Sequence, residues 1–239
     1  MEKSLQPGDI LRKAFGYWSS TLSFQLLFSL IYFVLFYAVS FFIFRQLNLM
    51  EPLREISALL TTDTAAFQQR LQELAQTENY RLAALLGVAA SAIAFPLNIG
   101  LLFIYQKIDK GERPRAGDLF KGYEGRNFFL FFGFYLFWGI INFYAKMFVL
   151  PSVIWVLFTL LCSPLLFFGN MRLNAAVAAS ARAFMLHPFL FVVCALAAVV
   201  ISYVGILLFG VGLLFTFPFW NAVIYVLYNE VTVKTMATS

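Results

Sequence analysis

Charged side chains are scarce in this chain, because Asp, Glu, Lys and Arg make up only 12% of its 239 residues. Soluble globular proteins carry about 25%. The mean hydropathy is +0.81, and no charged residue occurs between Ala183 and Asn229. A helix needs about 20 apolar residues to cross the hydrocarbon core of a bilayer, so this single run is long enough to cross twice. The shortage of charge therefore excludes a soluble globular domain and predicts an all-α, polytopic membrane protein.

Histidine and cysteine are also rare, with His187 as the one histidine and Cys162 and Cys194 as the only cysteines. A metal centre needs several His, Cys or carboxylate ligands that converge, and a disulfide framework needs more cysteines than two. Both cysteines fall in apolar segments and are expected to be packing residues. His187 precedes a proline, which favours a place at a helix entry over a role as ligand or general base. The sequence therefore predicts no metal and no other cofactor.

Acidic residues are absent from every apolar segment that is long enough to cross a bilayer. Intramembrane aspartyl proteolysis, proton relays and carboxylate-coupled ion transport all depend on acids inside the membrane. The Gly-x-Ser-x-Gly, P-loop and dinucleotide-binding patterns are missing as well. We therefore expect a protein that is not an enzyme. Loop lysines and arginines explain the net charge of +5, and no basic patch is large enough to follow a nucleic acid backbone, so no nucleic acid partner is expected.

Six transmembrane helices are predicted from the apolar runs. They are expected at about 21–44 and 81–106, as a pair within 127–171, and as a pair within 183–229. Lys146 and Pro151 interrupt the first paired block and mark its turn. Gly205, Gly210 and Gly212 mark the turn of the second, since glycine ends or turns a helix at little cost.

Self-similarity along the chain predicts three repeats within a single transmembrane domain, 1–239. Gly8-Asp9-Ile10-Leu11 precedes the first hairpin and Gly117-Asp118-Leu119-Phe120 precedes the second, with both aspartates as candidate helix N-caps. The second helix of each hairpin also carries one proline, which bends a membrane helix. The three prolines are Pro96, Pro164 and Pro218. Each predicted unit is an interfacial helix plus a hairpin, with limits at about 8–106, 117–171 and 174–229. The alternative is that proline is simply common in membrane helices.

Positive charge predicts the orientation of these spans. Twelve of the 17 lysines and arginines lie on the side of the two termini, and five lie on the other side. Positively charged loops stay in the cytoplasm, so both termini are expected there. The hydrophilic insertion 45–80 then faces outward, where Pro52 and Thr61-Thr62-Asp63 favour two short helices. This insertion is either a connector or a lid that binds a partner.

The glycine and proline pattern resembles that of bacterial six-helix membrane proteins of uncharacterised function, which are similar to the membrane domain attached to glycerophosphodiester phosphodiesterases. The resemblance covers most of the chain outside 45–80. It implies the six-helix fold and a home in the bacterial inner membrane, and it implies no activity because the catalytic phosphodiesterase barrel is absent. The motifs that carry it are Gly-Asp-Leu-Phe-Lys-Gly-Tyr at 117–123, Tyr203-Val204-Gly205, Gly210-Val211-Gly212, Thr216-Phe217-Pro218, Tyr225 and Tyr228.

The candidate functional positions are prolines and polar residues inside the spans or at their edges. They are Pro96, Asn98, Pro164, Asn170, Arg172, Pro218 and Asn221. Proline frees a backbone carbonyl that a nearby amide can satisfy, which would give Asn98 and Asn221 a structural role. Alternatively, the bent helices enclose a polar cavity that holds a substrate, as broken transporter helices do. Arg172 is expected either to snorkel to the interface or to contact a lipid phosphate.

Two functions are compatible with these features. The favoured one is a non-catalytic scaffold or accessory subunit of a membrane assembly, which holds another membrane protein through its aromatic third span and its outward insertion. The alternative is a small permease or lipid-handling protein with a polar cavity at the proline-kinked helices. Membrane lipids are expected partners in both cases. The first is favoured because the span interiors offer few groups that bind a polar solute.

Overall fold

The computed structural model describes residues 5–208 and 210–233 of the chain. The protein is 84% helical, and the described residues include no strand. Within these ranges, five helical segments are long and apolar enough to cross a membrane: Leu22–Gln46, Glu78–Asp109, Arg126–Ala145, Val149–Phe167 and Pro188–Leu207. The prediction of an all-α fold with membrane-spanning helices is confirmed.

The first half of the chain forms α1 (Pro7–Ser20), α2 (Leu22–Gln46), α3 (Met50–Leu59), α4 (Thr64–Gln76), α5 (Glu78–Ala94) and α6 (Pro96–Asp109). A 3₁₀ segment, Ala116–Tyr123, follows. The second half forms α7 (Arg126–Ala145), α8 (Val149–Thr159), α9 (Cys162–Phe167), α10 (Leu173–Leu186), α11 (Pro188–Val204), a 3₁₀ turn (Gly205–Leu207), α12 (Leu213–Thr216), α13 (Phe219–Leu227) and a π-helical turn (Tyr228–Val233).

Helix α1 packs along the bundle. Ile10 and Ala14 lie one turn apart on the same face of this amphipathic helix, and both are buried in the main core. The indole Nε1 of Trp18 donates to the Phe215 carbonyl, 2.7 Å away. Through these contacts α1 covers α11 and α13, near the opposite end of the chain.

The two aspartates predicted as N-caps lie inside their helices instead. Gln6 is the N-cap of α1 and Arg115 is that of the 3₁₀ segment, so Asp9 and Asp118 both occupy the third helical position. The Asp118 carboxylate accepts from the backbone amide of Arg115 at 2.7 Å, which satisfies a free amide from within the helix. It also pairs with Lys107 at 2.9 Å. The N-cap assignment is therefore wrong, although the two Gly-Asp pairs do hold equivalent places.

The insertion between the first two spanning segments forms two short helices, α3 and α4, as the sequence predicts. Asp63 is the N-cap of α4, and its carboxylate accepts from the Ala66 amide at 3.0 Å. The helices pack on the adjoining ends of α2 and α5 in a small core of their own. Its buried members are Ile43, Leu49, Ile56, Leu74, Ala83 and Ala90.

Pro96 separates α5 from α6 inside one long spanning segment. Proline has no N–H to donate, so the preceding turn loses a backbone hydrogen bond. The Asn98 amide donates to the Phe95 carbonyl at 2.9 Å, and the Tyr123 hydroxyl donates to the Ile93 carbonyl at 2.8 Å. Burial raises the pKa of Tyr123 to about 12, which keeps this donor protonated at neutral pH. Side chains therefore satisfy two carbonyls in the turn that precedes the break.

The second hairpin turns at residues 146–148, between α7 and α8, where the sequence predicts it. The Trp138 indole donates to the Thr159 hydroxyl at 2.7 Å and joins the two helices. Helix α8 then breaks before α9. At this break the Leu161 amide donates to the Ser180 hydroxyl of α10 at 3.1 Å. Helix α10 therefore satisfies a backbone amide at the break in the arm beside it.

The last of the six predicted spans is not a continuous helix. Chain direction reverses after α11, where a Cβ on Gly205 would lie 2.3 Å from the carbonyl carbon of Gly212. The returning arm then breaks at the buried Pro218, between α12 and α13. Because proline removes a helical hydrogen bond in the middle of this arm, the described residues contain five helices of spanning length instead of six.

Six helical arms nevertheless surround a common centre. In chain order, the arms α2, α5–α6, α7, α8–α9, α11 and α12–α13 each pack against the next, and α12 packs against α2. Helix α10 lies on α8 and α9, and the 3₁₀ segment lies along α6. Arms that follow one another in the chain are therefore neighbours in space, and together they form a closed ring.

The 3₁₀ segment touches the backbone of α6 directly. A Cβ on Gly100 would lie 2.0 Å from the Leu119 carbonyl oxygen, and a Cβ on Gly122 would lie 2.1 Å from the Pro96 carbonyl oxygen. Real Cβ atoms do not approach backbone atoms this closely. Both positions therefore require glycine for the loop after the second spanning segment to seat on the helix.

We expect Gly100→Ala to destabilise the protein by about 1–3 kcal/mol, because the added methyl group meets backbone atoms that have little freedom to move. Gly87→Ala on α5 is the matched control. No heavy atom lies within 4 Å of its added Cβ, so it should be neutral or stabilise the helix by up to about 1 kcal/mol. Thermal unfolding of the detergent-solubilised protein measures both, and equal midpoints for the two variants would contradict the close approach.

Candidate functional site

Residues from all six arms of the ring line a cavity of about 350 Å³. Its lining includes no charged residue among those described. Aromatic side chains form much of the wall, and Tyr32, Tyr135, Trp138, Tyr203 and Trp220 among them carry a polar group at one edge. The other polar side chains of the wall are Asn98, Thr159, Ser163, Ser202 and Asn221. The cavity therefore offers neutral hydrogen-bonding groups on an aromatic surface.

The three helix breaks meet at this cavity. Pro96, Pro164 and Pro218 are all buried, and each lies beside a residue of the wall. Asn98 follows the first proline, Ser163 precedes the second, and Asn221 follows the third. The sequence-predicted positions at the three prolines are thus brought together by the fold.

Asn98 has the structural role that the sequence offers as one of two alternatives. Its amide nitrogen donates to the Phe95 carbonyl, which lies just before Pro96. It also belongs to the cavity wall. The same side chain therefore stabilises the break and is available to a molecule in the cavity through its amide oxygen.

Asn221 has a different environment. It is 5% exposed, and its side-chain amide makes no hydrogen bond to any residue in the described ranges. Ser202 is 3% exposed, and its buried hydroxyl has no hydrogen-bond partner in this part of the chain; Ser163, 8% exposed, lies on the same wall. A buried polar group without a hydrogen bond is costly, and more so where no bulk water is at hand. The Ser202 hydroxyl, on a wall that also carries Ser163 and Asn221, therefore indicates a place for a ligand.

Asn170 and Arg172 lie away from the cavity. Both are exposed in the connection between α9 and α10, where Asn170 has a φ of +48° and Arg172 is the N-cap of α10. Left-handed backbone of this kind is tolerated by asparagine in turns. The fold therefore separates these two candidates from the group at the prolines.

A second polar site lies where α1, α6 and the end of α13 meet. The hydroxyls of Tyr17 and Tyr225 both donate to the Asp109 carboxylate, and Lys13 pairs with Glu230. A pocket of about 460 Å³ adjoins these residues. Burial and the bond to Asp109 raise the pKa of Tyr17 above its ordinary value, so its hydroxyl remains a donor at neutral pH.

Sequence reasoning missed this second site because Asp109 falls beyond the predicted end of its span, at residue 106. The helix in fact continues to Asp109. The one sequence signal was the aromatic spacing in the last arm, where Tyr225 follows Asn221 by one turn. That signal says nothing about Asp109, which comes from a distant part of the chain.

Groups suited to metal binding do not cluster in the described part of the chain, where no three His, Cys, Asp or Glu side chains lie together. Cys162 and Cys194 are free and buried in the core. The cavity wall likewise holds no acid, histidine or cysteine. Its chemistry is therefore that of hydrogen bonding and aromatic contact.

Comparison with protein-family models, with curated proteins and with solved structures finds no match to this chain.

We expect Asn221→Leu to stabilise the empty protein by about 1–2 kcal/mol, because it replaces an unpartnered buried amide with an apolar group of similar size. Asn142→Leu is the matched control. Asn142 is also buried, but it accepts from Ser152 at 2.8 Å, outside the cavity. That variant should lose about 1–3 kcal/mol, since it leaves the serine hydroxyl without its acceptor. Thermal unfolding in detergent measures both, and a lower midpoint for Asn221→Leu would contradict the unpartnered amide.

Proposed function

We propose that this protein binds a neutral amphiphilic molecule in its central cavity and acts as a small permease or lipid-handling protein. The observation that carries the proposal is the buried hydroxyl of Ser202, which has no partner in the described ranges, on a cavity wall that also carries the nearly buried Ser163 and Asn221. The wall has no charge to pair with an ion. An ion in the cavity would lose its hydration without gaining a partner of opposite charge, so the cavity favours a neutral head group.

The size and position of the cavity fit the polar end of such a molecule. At about 350 Å³ it lies at the lower end of the range of ligand sites, too small for a whole two-chain lipid. Val199 and Tyr203 of α11 belong to its wall and are 44% and 53% exposed. This wall therefore reaches the outer surface of the ring, where an apolar tail would continue into the surrounding lipid.

The proposed architecture is six membrane-crossing arms in three hairpin repeats that enter from the same face, with both termini in the cytoplasm of a bacterial inner membrane. The equivalent Gly-Asp positions in α1 and in the 3₁₀ segment support the repeats. The closed ring of arms supports six crossings, with α12–α13 as a broken sixth. Kinship with the membrane domain of glycerophosphodiester phosphodiesterases stays a prediction from the sequence.

A second candidate function is the non-catalytic scaffold, which the insertion favours. Helices α3 and α4 have their own small core, and most of their remaining side chains are exposed. Helix α7 also presents Phe129, Phe137 and Tyr144 on its outer face. A partner protein in the membrane assembly would contact these two surfaces, whereas the cavity would then have no part in function.

Binding of a neutral lipid separates the two functions. We expect diacylglycerol with a fluorescent acyl chain to bind the purified protein more tightly than phosphatidylglycerol with the same label. Asn221→Ala should weaken diacylglycerol binding about five- to tenfold, the value of one hydrogen bond. Asn142→Ala, outside the cavity, should leave it unchanged. Equal affinity for both lipids, together with no effect of Asn221→Ala, would reject the cavity as the binding site. The scaffold function would then remain, and it predicts that another membrane protein co-purifies with this one.

The orientation is tested by side-specific thiol labelling of single cysteines in a variant that lacks Cys162 and Cys194. We expect Thr62→Cys, in the insertion, to react in intact cells with a membrane-impermeant reagent. Gly8→Cys and Lys110→Cys should react only after the cells are broken, because positive loops stay in the cytoplasm. Labelling of Gly8→Cys and Lys110→Cys from opposite sides would contradict the proposed hairpin topology.

A further inference from the structure

Helix α2 carries a buried polar stripe within an otherwise apolar spanning segment. Thr21 precedes the helix, and Gln25 and Ser29 follow at intervals of four residues, which places all three on one face. They are 1%, 0% and 0% exposed. Polar side chains inside a membrane are costly and usually face the interior of a bundle or a water-filled cavity. The stripe therefore needs an explanation beyond packing.

Hydrogen bonds satisfy only part of this stripe. The Gln25 amide nitrogen donates to the Thr21 hydroxyl and to the Tyr105 hydroxyl, each at 2.8 Å. The amide oxygen of Gln25 and the hydroxyl of Ser29 are buried and have no partner in the described ranges. These two atoms are positioned as acceptors for a molecule from outside the chain.

One end of the stripe leads to the Asp109 pocket. The ring of Tyr105, which holds Gln25, packs against Tyr17 and Tyr225 with centroid distances of 5.6 and 5.5 Å. Both of these tyrosines donate to Asp109 at the pocket of about 460 Å³. A series of hydrogen bonds and ring contacts therefore joins Gln25 to the pocket at the surface of the protein.

The other end of the stripe leads to the central cavity. Ser29 lies one turn before Tyr32, which belongs to the cavity wall. The fully buried ring of Phe28 stacks on Tyr32 and on Phe217, another residue of the wall, with centroid distances of 5.7 and 6.3 Å. This aromatic stack lies between the unpartnered Ser29 region and the cavity.

We infer that Thr21, Gln25 and Ser29 form a polar route for water between the central cavity and the Asp109 pocket, with the stack of Phe28, Tyr32 and Phe217 as its inner gate. The inference rests on the proposed function in one respect, that the cavity is the site to which the route leads. The route gives the polar head group of a bound molecule access to one aqueous side. Its outer end lies beside Lys13 and Glu230, which form the rim of the pocket.

Thiol accessibility tests the route without any ligand. In membrane vesicles of the variant lacking Cys162 and Cys194, Gln25→Cys and Ser29→Cys are treated with a membrane-impermeant thiol reagent. The controls are Val34→Cys, exposed on the lipid side of the same helix, and Ala198→Cys, fully buried in the core. Lys110→Cys, exposed next to Asp109, identifies the side of the membrane on which the pocket opens.

We expect Ser29→Cys and Gln25→Cys to react at least about tenfold faster than both controls, and from the same side as Lys110→Cys. Ser29→Cys changes a single atom, so its result stands even where the glutamine substitution prevents folding. Rates equal to those of the controls in protein with a normal unfolding midpoint would overturn the route. Failure of lipid binding with fast labelling would reject the proposed function alone, whereas lipid binding with slow labelling would reject the route alone.

Discussion

Inside a bilayer no water can replace a hydrogen bond that a backbone carbonyl has lost, and this constraint governs how the six arms of the protein fit together. Proline breaks the second arm of each hairpin. At the first break, Asn98 and Tyr123 donate to two carbonyls that precede Pro96, and at the second the Ser180 hydroxyl accepts from the Leu161 amide. The donor Tyr123 belongs to the 3₁₀ segment and the acceptor Ser180 to α10. Both breaks are thereby tied to an element that is not one of the five segments of spanning length.

At the third break the support comes from α1 and not from the asparagine that follows the proline, because the Trp18 indole donates to the Phe215 carbonyl, three residues before Pro218. Asn221 follows Pro218 and keeps its amide free of hydrogen bonds within the described ranges, although it is nearly buried. A structural role for both asparagines was one of two alternatives in the sequence, and the fold separates them: Asn98 serves its own helix, whereas Asn221 faces the cavity. The same local pattern therefore has different consequences, because the surroundings of each break differ.

Local features of the fold were predictable from the sequence. Hydropathy identifies the spanning segments because transfer into lipid depends on each residue almost independently. The helix start after Thr61-Thr62-Asp63 and the turn at 146–148 follow from short-range interactions and are found as predicted. Hydropathy could not predict whether the last arm is one continuous helix, because it is insensitive to the backbone hydrogen bond that Pro218 removes.

The contents of the candidate site were predictable only where a polar residue stood out in an apolar run. Asn98 and Asn221 stood out for this reason. Ser202 and Thr159 did not, since small hydroxyl residues are common in membrane helices and often bond to their own backbone. The Asp109 cluster depends on residues from α1, α6 and α13, and no periodicity within one helix shows which distant helices meet.

The packing of α1 has a consequence for biosynthesis. Its buried face rests on α11 and α13, Trp18 is held by the Phe215 carbonyl, and Lys13 pairs with Glu230. All of these partners are synthesised after residue 187, because they lie in α11 or beyond it. Helix α1 therefore remains without these neighbours until the ribosome has passed them, and a chain truncated before residue 213 has an unclosed ring in which α1 has lost its contacts with α13, Phe215 and Glu230.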